Sequence, residues 1–380
     1  MAALCHGRES VLTRIKGQAS HADKNVPMRA ATGLLCVSVV LLTGCASIGP
    51  PAVVRDRFDY VAAISESWKR QTLLNLLKVR YADAPVFMDV TSVISAYSVQ
   101  GDISVGGQIT PLGRAGDTFT SAGAAGQYSD KPTITYQPLS GDKFARSLMA
   151  PIPVSGILSL IQAGYPADVV LRICVNSING LENEFGGAGN PRVGSPKFRE
   201  LMSLLRQSQA VGGAGFRTKG SKDKQSVVMY LRPGVSETEP LSAIRELLGL
   251  DPATREFKVV YGSFPEPDAE IAILTRSILQ VMIDLASQIE VPATDIAEGS
   301  VYSPQRSAEQ ERMFPPLITI HNGAALPERV YSGVRYRDQW FWIDDRDQQS
   351  KRTLTFLMLT FSLTESEPPQ AAPVVTIPAR

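Results

Sequence analysis

The apolar run from Ala30 to Leu42 sets the firmest limit on how this chain can fold. It contains 13 residues, mostly Leu, Val and Ala, and Arg29 precedes it. The apolar core of a secretory signal peptide has about 7–15 residues, whereas a membrane-spanning helix needs roughly 20. The run therefore predicts an export signal. We expect residues 1–44 to be absent from the folded protein, and translation to start at Met28.

The residues that end this run carry a second signal. Leu42-Thr43-Gly44-Cys45 resembles a bacterial lipobox, in which the cysteine takes a diacylglyceryl group and the Gly44–Cys45 bond is cut. The resemblance implies a lipid anchor at Cys45, and two or three acyl chains hold firmly where one is marginal. Ala46 follows, and Asp at that position retains enterobacterial lipoproteins in the inner membrane. The resemblance thus implies the periplasmic face of the outer membrane. The alternative is an ordinary secretory signal.

Charge and cysteine content exclude several classes of protein. The chain has 38 basic and 37 acidic residues, which gives no electrostatic argument for a nucleic-acid partner. Cys5 and Cys36 lie in the leader and Cys45 is the predicted lipid site, so Cys174 remains alone. An exported chain with one thiol has no internal disulfide and depends on its hydrophobic core. Cys174 is expected to be a buried, inert thiol.

The remaining residues suggest one α+β domain. Removing 44 leader residues from the 380-residue chain leaves 336, enough for a large core. Strands and helices alternate irregularly, which predicts a mixed or antiparallel sheet with packed helices. The predicted segments are a lipidated tether at 45–62, a domain at 63–364 and a disordered Pro-rich tail at 365–380. The tether is predicted to be irregular, because SIGPP lacks a helical period and Pro50-Pro51 cannot extend a helix cleanly. The domain has two candidate lobes, 63–233 and 234–364.

Several local patterns predict individual elements. Leu73, Leu76 and Leu77 have helical spacing. The segment ADVVLRICVNSING predicts a strand. Ser195-Pro196 predicts the start of a helix, and Gly212 its end.

Three segments also resemble a known group. They are LLNLLKVRYADAPVFMDVTSV, PTITYQPLSGDKFARSLMAPIP and WFWIDDRDQQSKRTLTFLMLTFSL. They resemble segments of uncharacterised proteobacterial outer-membrane lipoproteins, over most of the mature chain. The resemblance implies an envelope location. It implies no activity and no site residues.

Motifs for catalysis or cofactor binding are weak in this sequence. The loops GFRTKGSK, GGAGNP and GGAGFR lack the residues that complete a phosphate-binding motif. Asp344, Asp345 and Asp347 could bind a hard cation, but a helix-capping role for Asp347 and a solvated turn are the favoured interpretation. His321 is the one histidine outside the leader, which excludes a His-rich metal site; a structural or surface role is favoured for it. We therefore predict no catalytic residue, no cofactor and no metal.

The segment QWFWI contains the densest group of aromatic residues. Alternation places Trp340 and Trp342 on one face of a strand and Phe341 on the other. Core and rim packing is the favoured interpretation. The alternative is a surface on which a sugar or a lipid stacks.

The Gly-rich segment 97–136 predicts an amphipathic β-hairpin. YSVQGDISVGGQI alternates apolar or glycine residues with polar ones, and TFTSAGAAGQYSDKPTITY can return after the PLGRAGD turn. A lone hairpin cannot cross a membrane, because its edges would be unpaired in hydrocarbon. Several copies could share one barrel, and the 13-residue length is sufficient for a tilted strand. The favoured alternative is a hairpin that lies on its own domain or offers its edge to a partner.

These observations lead to three functional hypotheses. The first is a lipid-anchored, non-enzymatic scaffold or assembly partner at the outer membrane, whose partners are membrane lipid, through Cys45, and an envelope protein or further copies of itself. The second is an oligomeric pore or export component that uses residues 97–136. The third is an envelope hydrolase whose active site has no recognisable motif.

Overall fold

A computed structural model shows the arrangement of most of the chain from Pro50 to Thr364. It describes residues 50–94, 97–108, 119–130, 133–139, 141–187, 191–219, 226–231, 239–266, 270–302 and 307–364. The predicted leader, the predicted lipidation site Cys45, the predicted PLGRAGD turn and the predicted tail at 365–380 lie outside these residues. Backbone contacts divide the chain into two units. Among the described residues, unit 1 contains 50–64 and those of Met88–Pro138, and unit 2 contains Ser65–Phe87 and those of 139–364.

Helix α1, Pro50–Arg80, begins well inside the segment that was expected to be an irregular tether. The prediction was wrong for residues 50–62, which are helical. Pro50 and Pro51 were taken to oppose a helix, but both fall in its first turn. Proline is tolerated there, because the first backbone N–H groups of a helix have no intrahelical partner.

Unit 1 contains four strands that form two pairs. They are β1 (Phe87–Ile94), β2 (Tyr97–Gln108), β3 (Phe119–Asp130) and β4 (Thr133–Leu139). β2 and β3 are antiparallel, from the pair Tyr97–Asp130 to the pair Gln108–Phe119, and β1 pairs with β4. We call these four strands the β-ribbon. The predicted hairpin is confirmed.

Unit 2 is built on a six-stranded mixed sheet. Its strands are β5 (Val175–Ile178), β6 (Leu181–Glu182), β7 (Ala214–Lys219), β8 (Ser226–Leu231), β9 (Glu256–Tyr261) and β10 (Glu270–Thr275). Their order is β6-β5-β10-β9-β8-β7. β9 and β10 are parallel and the other pairs are antiparallel. Strands from both sides of position 233, the suggested lobe boundary, thus belong to one sheet.

Helices and a smaller sheet complete unit 2. The helices are α2 (Asp142–Met149), α3 (Val154–Gln162), α4 (Ala167–Cys174), α5 (Pro196–Val211), α6 (Glu239–Leu248), α7 (Ile278–Ser287), α8 (Ala293–Ala297), α9 (Ala308–Met313) and α10 (Gln348–Thr364). The strands β11 (His321–Gly323), β12 (Val330–Tyr336) and β13 (Gln339–Asp344) form a sheet in the order β11-β13-β12. Together with the mixed sheet they give the predicted α+β class.

The segment around Cys174 differs from its prediction. Residues 167–174 form helix α4, and only Val175–Ile178 form a strand. The buried residues Ala167, Val170, Leu171 and Cys174 recur at helical spacing, but the same apolar run is also compatible with a buried strand. Cys174 is fully buried. Loss of solvation raises the pKa of its thiol to about 12, because burial disfavours the thiolate.

Helix α5 ends as its sequence predicts. Ser195 occupies the N-cap, Pro196 the first helical position, and Gly212 the C-cap with a left-handed φ of 63°. Only glycine adopts that φ without a steric penalty. The Ser195 side chain makes no capping hydrogen bond.

The second half of α1 packs into the core of unit 2. Leu73, Leu76 and Leu77 are fully buried, as their spacing predicts. Asn75, also buried, fixes the chain ahead of β1. Its Nδ2 donates to the Val86 carbonyl at 2.8 Å, and its Oδ1 accepts from the Val86 N–H at 2.9 Å. The Asn75 side chain thus makes the two backbone hydrogen bonds that a neighbouring strand would otherwise make with Val86.

Candidate functional site

The β-ribbon has unpaired edges. Among the strands that the structure describes, β2 pairs only with β3, and β1 only with β4. Outside these two pairs the described strands of the β-ribbon form no further ladder, and strand edges of this kind can pair with a strand from another chain. An isolated two-stranded hairpin is at best marginally stable in water. The β-ribbon is a candidate assembly site for these reasons.

Strand β4 is exposed on both of its faces. Every residue from Thr133 to Pro138 is exposed to solvent, although successive side chains of a strand point to opposite faces. Ile134 and Tyr136 lie on one of these faces, with 40% and 55% of their surfaces exposed. Met88 and Ile94 of β1 are exposed to a similar extent. Large apolar side chains concentrated in this way are typical of interaction surfaces.

The first half of α1 has an apolar stripe of its own. Val54, Phe58 and Val61 are exposed, and Phe58 has 70% of its surface in solvent. Their spacings of four and three residues match the seam of a coiled coil, in which apolar residues repeat at this interval. Unit 1 therefore has two apolar surfaces, one on β1 and β4 and one on α1. No described residue buries the side chains that form them.

The predicted lipidation site cannot be placed in this structure. Gly44 and Cys45 lie outside the described residues, so the lipid anchor stays a prediction. No helix in the described part of the chain is both long enough and apolar enough to cross a membrane.

His321 lies at the start of β11 and is half-exposed. Its Nδ1 is 2.9 Å from Oε2 of Glu290. Its ring lies 5.9 Å from the ring of Trp342. This polar contact with Glu290 and the ring contact with Trp342 are consistent with the favoured surface role.

The three aspartates near β13 separate into different roles. Asp347 caps α10, because its Oδ1 accepts from the Ser350 N–H at 3.0 Å. Asp344 accepts from the Arg346 N–H at 2.7 Å within the turn. Asp345 pairs with Lys351 at 2.7 Å, and that ammonium lowers the pKa of the carboxyl. No group of three metal-ligating side chains occurs among the described residues. The capping role of Asp347 is confirmed.

The aromatic strand β13 divides as its alternation predicts. Phe341 is fully buried, whereas Trp340 and Trp342 are half-buried. Phe341 contacts Tyr81 edge to face, with ring centroids 6.4 Å apart. These contacts favour the core and rim interpretation over a stacking surface.

The described parts of the Gly-rich motifs lie in a strand, at a helix end and in a close packing contact. The described part of GFRTKGSK, Gly215–Lys219, belongs to strand β7, and Gly212 of GGAGFR is the C-cap of α5. In GGAGNP, the Gly186 N–H donates to Asp284 Oδ1 at 2.6 Å. A Cβ atom at Gly186 would come within 1.9 Å of Ser287 Oγ. Gly186 therefore allows close approach to the protein's own side chains rather than to a phosphate.

The structure contains a buried ion pair that no sequence pattern predicted. Arg276 is fully buried, and its Nη1 lies 2.9 Å from Asp284 Oδ2. The same guanidinium donates to the backbone carbonyls of Arg172, Ile173 and Glu184. A buried charge requires such partners. The pair thus joins α4, α7 and the segment after β6, and no spacing in the sequence could reveal it.

Comparison with known protein families, with curated proteins and with solved structures finds no match. The candidate sites therefore depend on the geometry of this chain alone.

Proposed function

We propose that this protein is a lipid-anchored assembly protein of the cell envelope, whose copies associate through the β-ribbon. The observation that carries the proposal is the exposure of β4 on both faces from Thr133 to Pro138. A strand that buries neither face gains little from its own chain. Its apolar surface and free edges are best explained by a partner.

A second copy of the chain is the partner that fits best. Every copy has the same unpaired edges, and antiparallel edge pairing is self-complementary under two-fold symmetry. The exposed α1 residues Val54, Phe58 and Val61 provide a second contact, through which the α1 helices of two copies could pack as a coiled coil. An envelope protein that donates a strand is the alternative partner.

Lipidation at Cys45, expected from the lipobox resemblance, would favour such association. Copies held on one surface experience a raised effective concentration, so a weak contact becomes sufficient for assembly. We therefore propose the outer membrane as the place of assembly, with unit 1 close to the anchor in sequence.

The first experiment measures the mass of the detergent-extracted mature protein by light scattering. We expect a defined oligomer for the native protein. A variant with Ile134→Lys and Tyr136→Lys should be monomeric, because charges on an exposed strand oppose pairing with another chain.

The matched control changes the same two residue types in unit 2. Ile296 and Tyr302 are both 42% exposed, and Ile296→Lys with Tyr302→Lys should leave the oligomer intact. A native protein that is monomeric at every concentration would overturn the self-assembly proposal. If the control variant dissociates as well, assembly does not depend on the β-ribbon.

The anchor is tested separately. Cys45→Ser should move the protein from the membrane fraction to the soluble fraction, because the acyl chains provide the expected attachment. Retention of this variant in membranes, with the β-ribbon double variant released, would indicate attachment through the β-ribbon instead.

A pore is the second candidate, and the length of the β2–β3 pair favours it. Each strand has 12 residues in continuous register, more than the roughly 9–11 that a tilted membrane strand needs. Release of a trapped dye from vesicles by the native protein, but not by a variant with residues 97–136 replaced by a Gly/Ser linker, would support this candidate.

A further inference from the structure

Unit 2 encloses a large cavity between its main sheet and four helices. The side chains of α3, α4, α5 and α6 form one wall, and strands β5, β7, β8, β9 and β10 form the other. Its volume is about 470 Å³. Protein interiors normally pack with few voids larger than a water molecule, so a space of this size needs an explanation.

The size of the cavity limits what it can hold. A cavity of roughly 150 Å³ lined by aliphatic and aromatic side chains accommodates benzene. The present cavity is about three times larger, so it offers room for an apolar group of roughly eighteen carbon atoms. That is the scale of one long acyl chain, and it falls within the range of about 300–1,000 Å³ found for ligand pockets.

The lining is almost entirely apolar. Leu158, Leu171, Ile178, Leu201 and Ile271 are among its buried members. None of the described residues that line the cavity carries a charge. The chemistry of the lining therefore favours a hydrocarbon chain, and disfavours any ligand with a charged group inside.

One polar group in the lining has no partner in the described part of the protein. The Ser208 side chain is 1% exposed, and its Oγ makes no hydrogen bond there. A buried hydroxyl without a partner is costly, and proteins rarely retain one. A ligand with one hydrogen-bonding group, such as an ester carbonyl or a hydroxyl, would satisfy Ser208.

The exposed end of the cavity lies close to that hydroxyl. Gln162 and Gly164 line the cavity and are exposed. Gln209, which follows Ser208, donates to the carbonyls of Ile161 and Tyr165 at 3.2 and 2.8 Å. The turn of α5 that contains Ser208 is therefore close to residues 161–165, at the end of the cavity where Gln162 and Gly164 are exposed, and Ser208 itself lies below the surface there. We call this end the mouth of the cavity.

A hydrogen bond links the two sides of this mouth. Gln162 Nε2 donates to the Phe216 carbonyl at 2.7 Å, which joins the end of α3 to strand β7. Because the bond lies in solvent, it can be exchanged for water at little cost. A chain could enter here and leave its polar end beside Ser208.

We infer that unit 2 binds one long acyl chain of a lipid in this cavity, with the polar end of the chain at Ser208 and the headgroup outside. The apolar volume selects the chain, and the unpartnered hydroxyl orients it. This inference is independent of the β-ribbon, because every lining residue belongs to unit 2.

The test uses the mature chain from Ala46 onward, purified without detergent because detergent tails would compete. This chain retains every described residue. Binding of cis-parinaric acid, a fluorescent long-chain fatty acid, is measured by titration. We expect saturable binding of one molecule per chain. Ser208→Leu should weaken it by about tenfold or more, because the added side chain occupies the cavity beside the mouth.

Stability separates a filled cavity from a damaged fold. Ser208→Leu removes an unpartnered hydroxyl and adds apolar contacts, so its urea midpoint should equal or exceed that of the native chain. The matched control is Ser203→Leu, on the same helix but exposed, which should leave the affinity unchanged. Ser208→Ala should weaken binding only about threefold, by loss of one hydrogen bond.

A second pair of variants repeats the test if Ser208→Leu does not fold. Leu205 lines the cavity, and Leu205→Trp should block it, whereas Val211→Trp on the exposed side of α5 should not. Equal affinity of the native and cavity-filled proteins would overturn the inference, as would the absence of saturable binding.

The natural source of the chain is identified by mass spectrometry of organic extracts from the native protein. A free fatty acid or an intact phospholipid, present in the native protein and depleted in Ser208→Leu, would support the inference and name the source. An acyl chain found equally in both would show binding outside the cavity and would overturn it.

Discussion

The β-ribbon and the main sheet of unit 2 are built from the same kind of strand but gain their stability in different ways. In β10, five of the six residues are buried and the sixth is half-buried, whereas six of the seven residues of β4 are exposed. Strand β10 gains stability because its side chains leave water on both faces of the strand. Strand β4 buries little of its own surface, so under the proposed assembly it would be stabilised by a partner.

The comparison predicts that substitutions will have large effects in unit 2 and small ones in the isolated β-ribbon. Urea denaturation followed by tryptophan fluorescence measures the effects in unit 2, because Trp340 and Trp342 both lie in that unit. The following changes test the comparison.

The largest effect is expected at the buried ion pair. Asp284→Ala leaves the Arg276 charge without its carboxylate partner in a site that excludes water. We expect a loss of about 3–5 kcal/mol in the free energy of unfolding. Asp142→Ala removes a carboxylate from an exposed pair with Arg146 and should cost about 0–0.5 kcal/mol. Similar losses for both variants would show that burial does not determine the importance of the pair.

Two leucines of α10 provide a matched test of packing. Leu357 is fully buried and Leu359 is 41% exposed. Leu357→Ala should reduce the free energy of unfolding by about 2–5 kcal/mol, since it removes buried methyl groups and leaves a cavity. Leu359→Ala should change it by less than about 0.5 kcal/mol. If Leu359→Ala is as costly, an undescribed part of the chain or a second copy covers that residue.

The cap of α10 is expected to contribute less. Asp347→Ala removes the side-chain acceptor for the Ser350 N–H and should cost about 1 kcal/mol. Asp347→Asn keeps an oxygen that can accept and should lose less than half of that. Both values come from urea denaturation curves, and equal losses would indicate that the negative charge, rather than the hydrogen bond, stabilises the helix end.

The smallest effect is expected in the β-ribbon of the isolated protein. Ile134→Ala with Tyr136→Ala should change the free energy of unfolding of the monomer by less than about 0.5 kcal/mol, because both side chains are already largely in water. The measurement is made at a concentration where light scattering gives a single copy. A loss above about 1 kcal/mol would mean that the β-ribbon packs on its own chain, contrary to the comparison.

Local patterns predicted the parts of the fold that depend on neighbours in sequence. The alternation in residues 97–108 predicted the β2–β3 hairpin, Leu73 and Leu76 predicted the buried side of α1, and Pro196 with Gly212 marked the limits of α5. Each of these signals acts within a few residues. The start of α1 was missed because the prolines were interpreted as breakers rather than as first-turn residues.

Features formed by distant residues could not be predicted in this way. Arg276 and Asp284 are eight positions apart, but the carbonyls that complete the site come from Arg172, Ile173 and Glu184, about a hundred residues earlier. The cavity depends likewise on helices and strands brought together from residues 158–273. The sequence around Ser208 indicates only an amphipathic helix. It does not show that the hydroxyl is buried beside a cavity.

The burial of Cys174 affects how a stored sample of the protein oxidises. A lone thiol on the surface would join two chains covalently wherever disulfides form. Here the sulfur meets an oxidant only when the core around it opens. In the chain from Ala46 onward Cys174 is the one cysteine. Disulfide-linked dimers of that chain in a stored sample would therefore measure how much of it has unfolded.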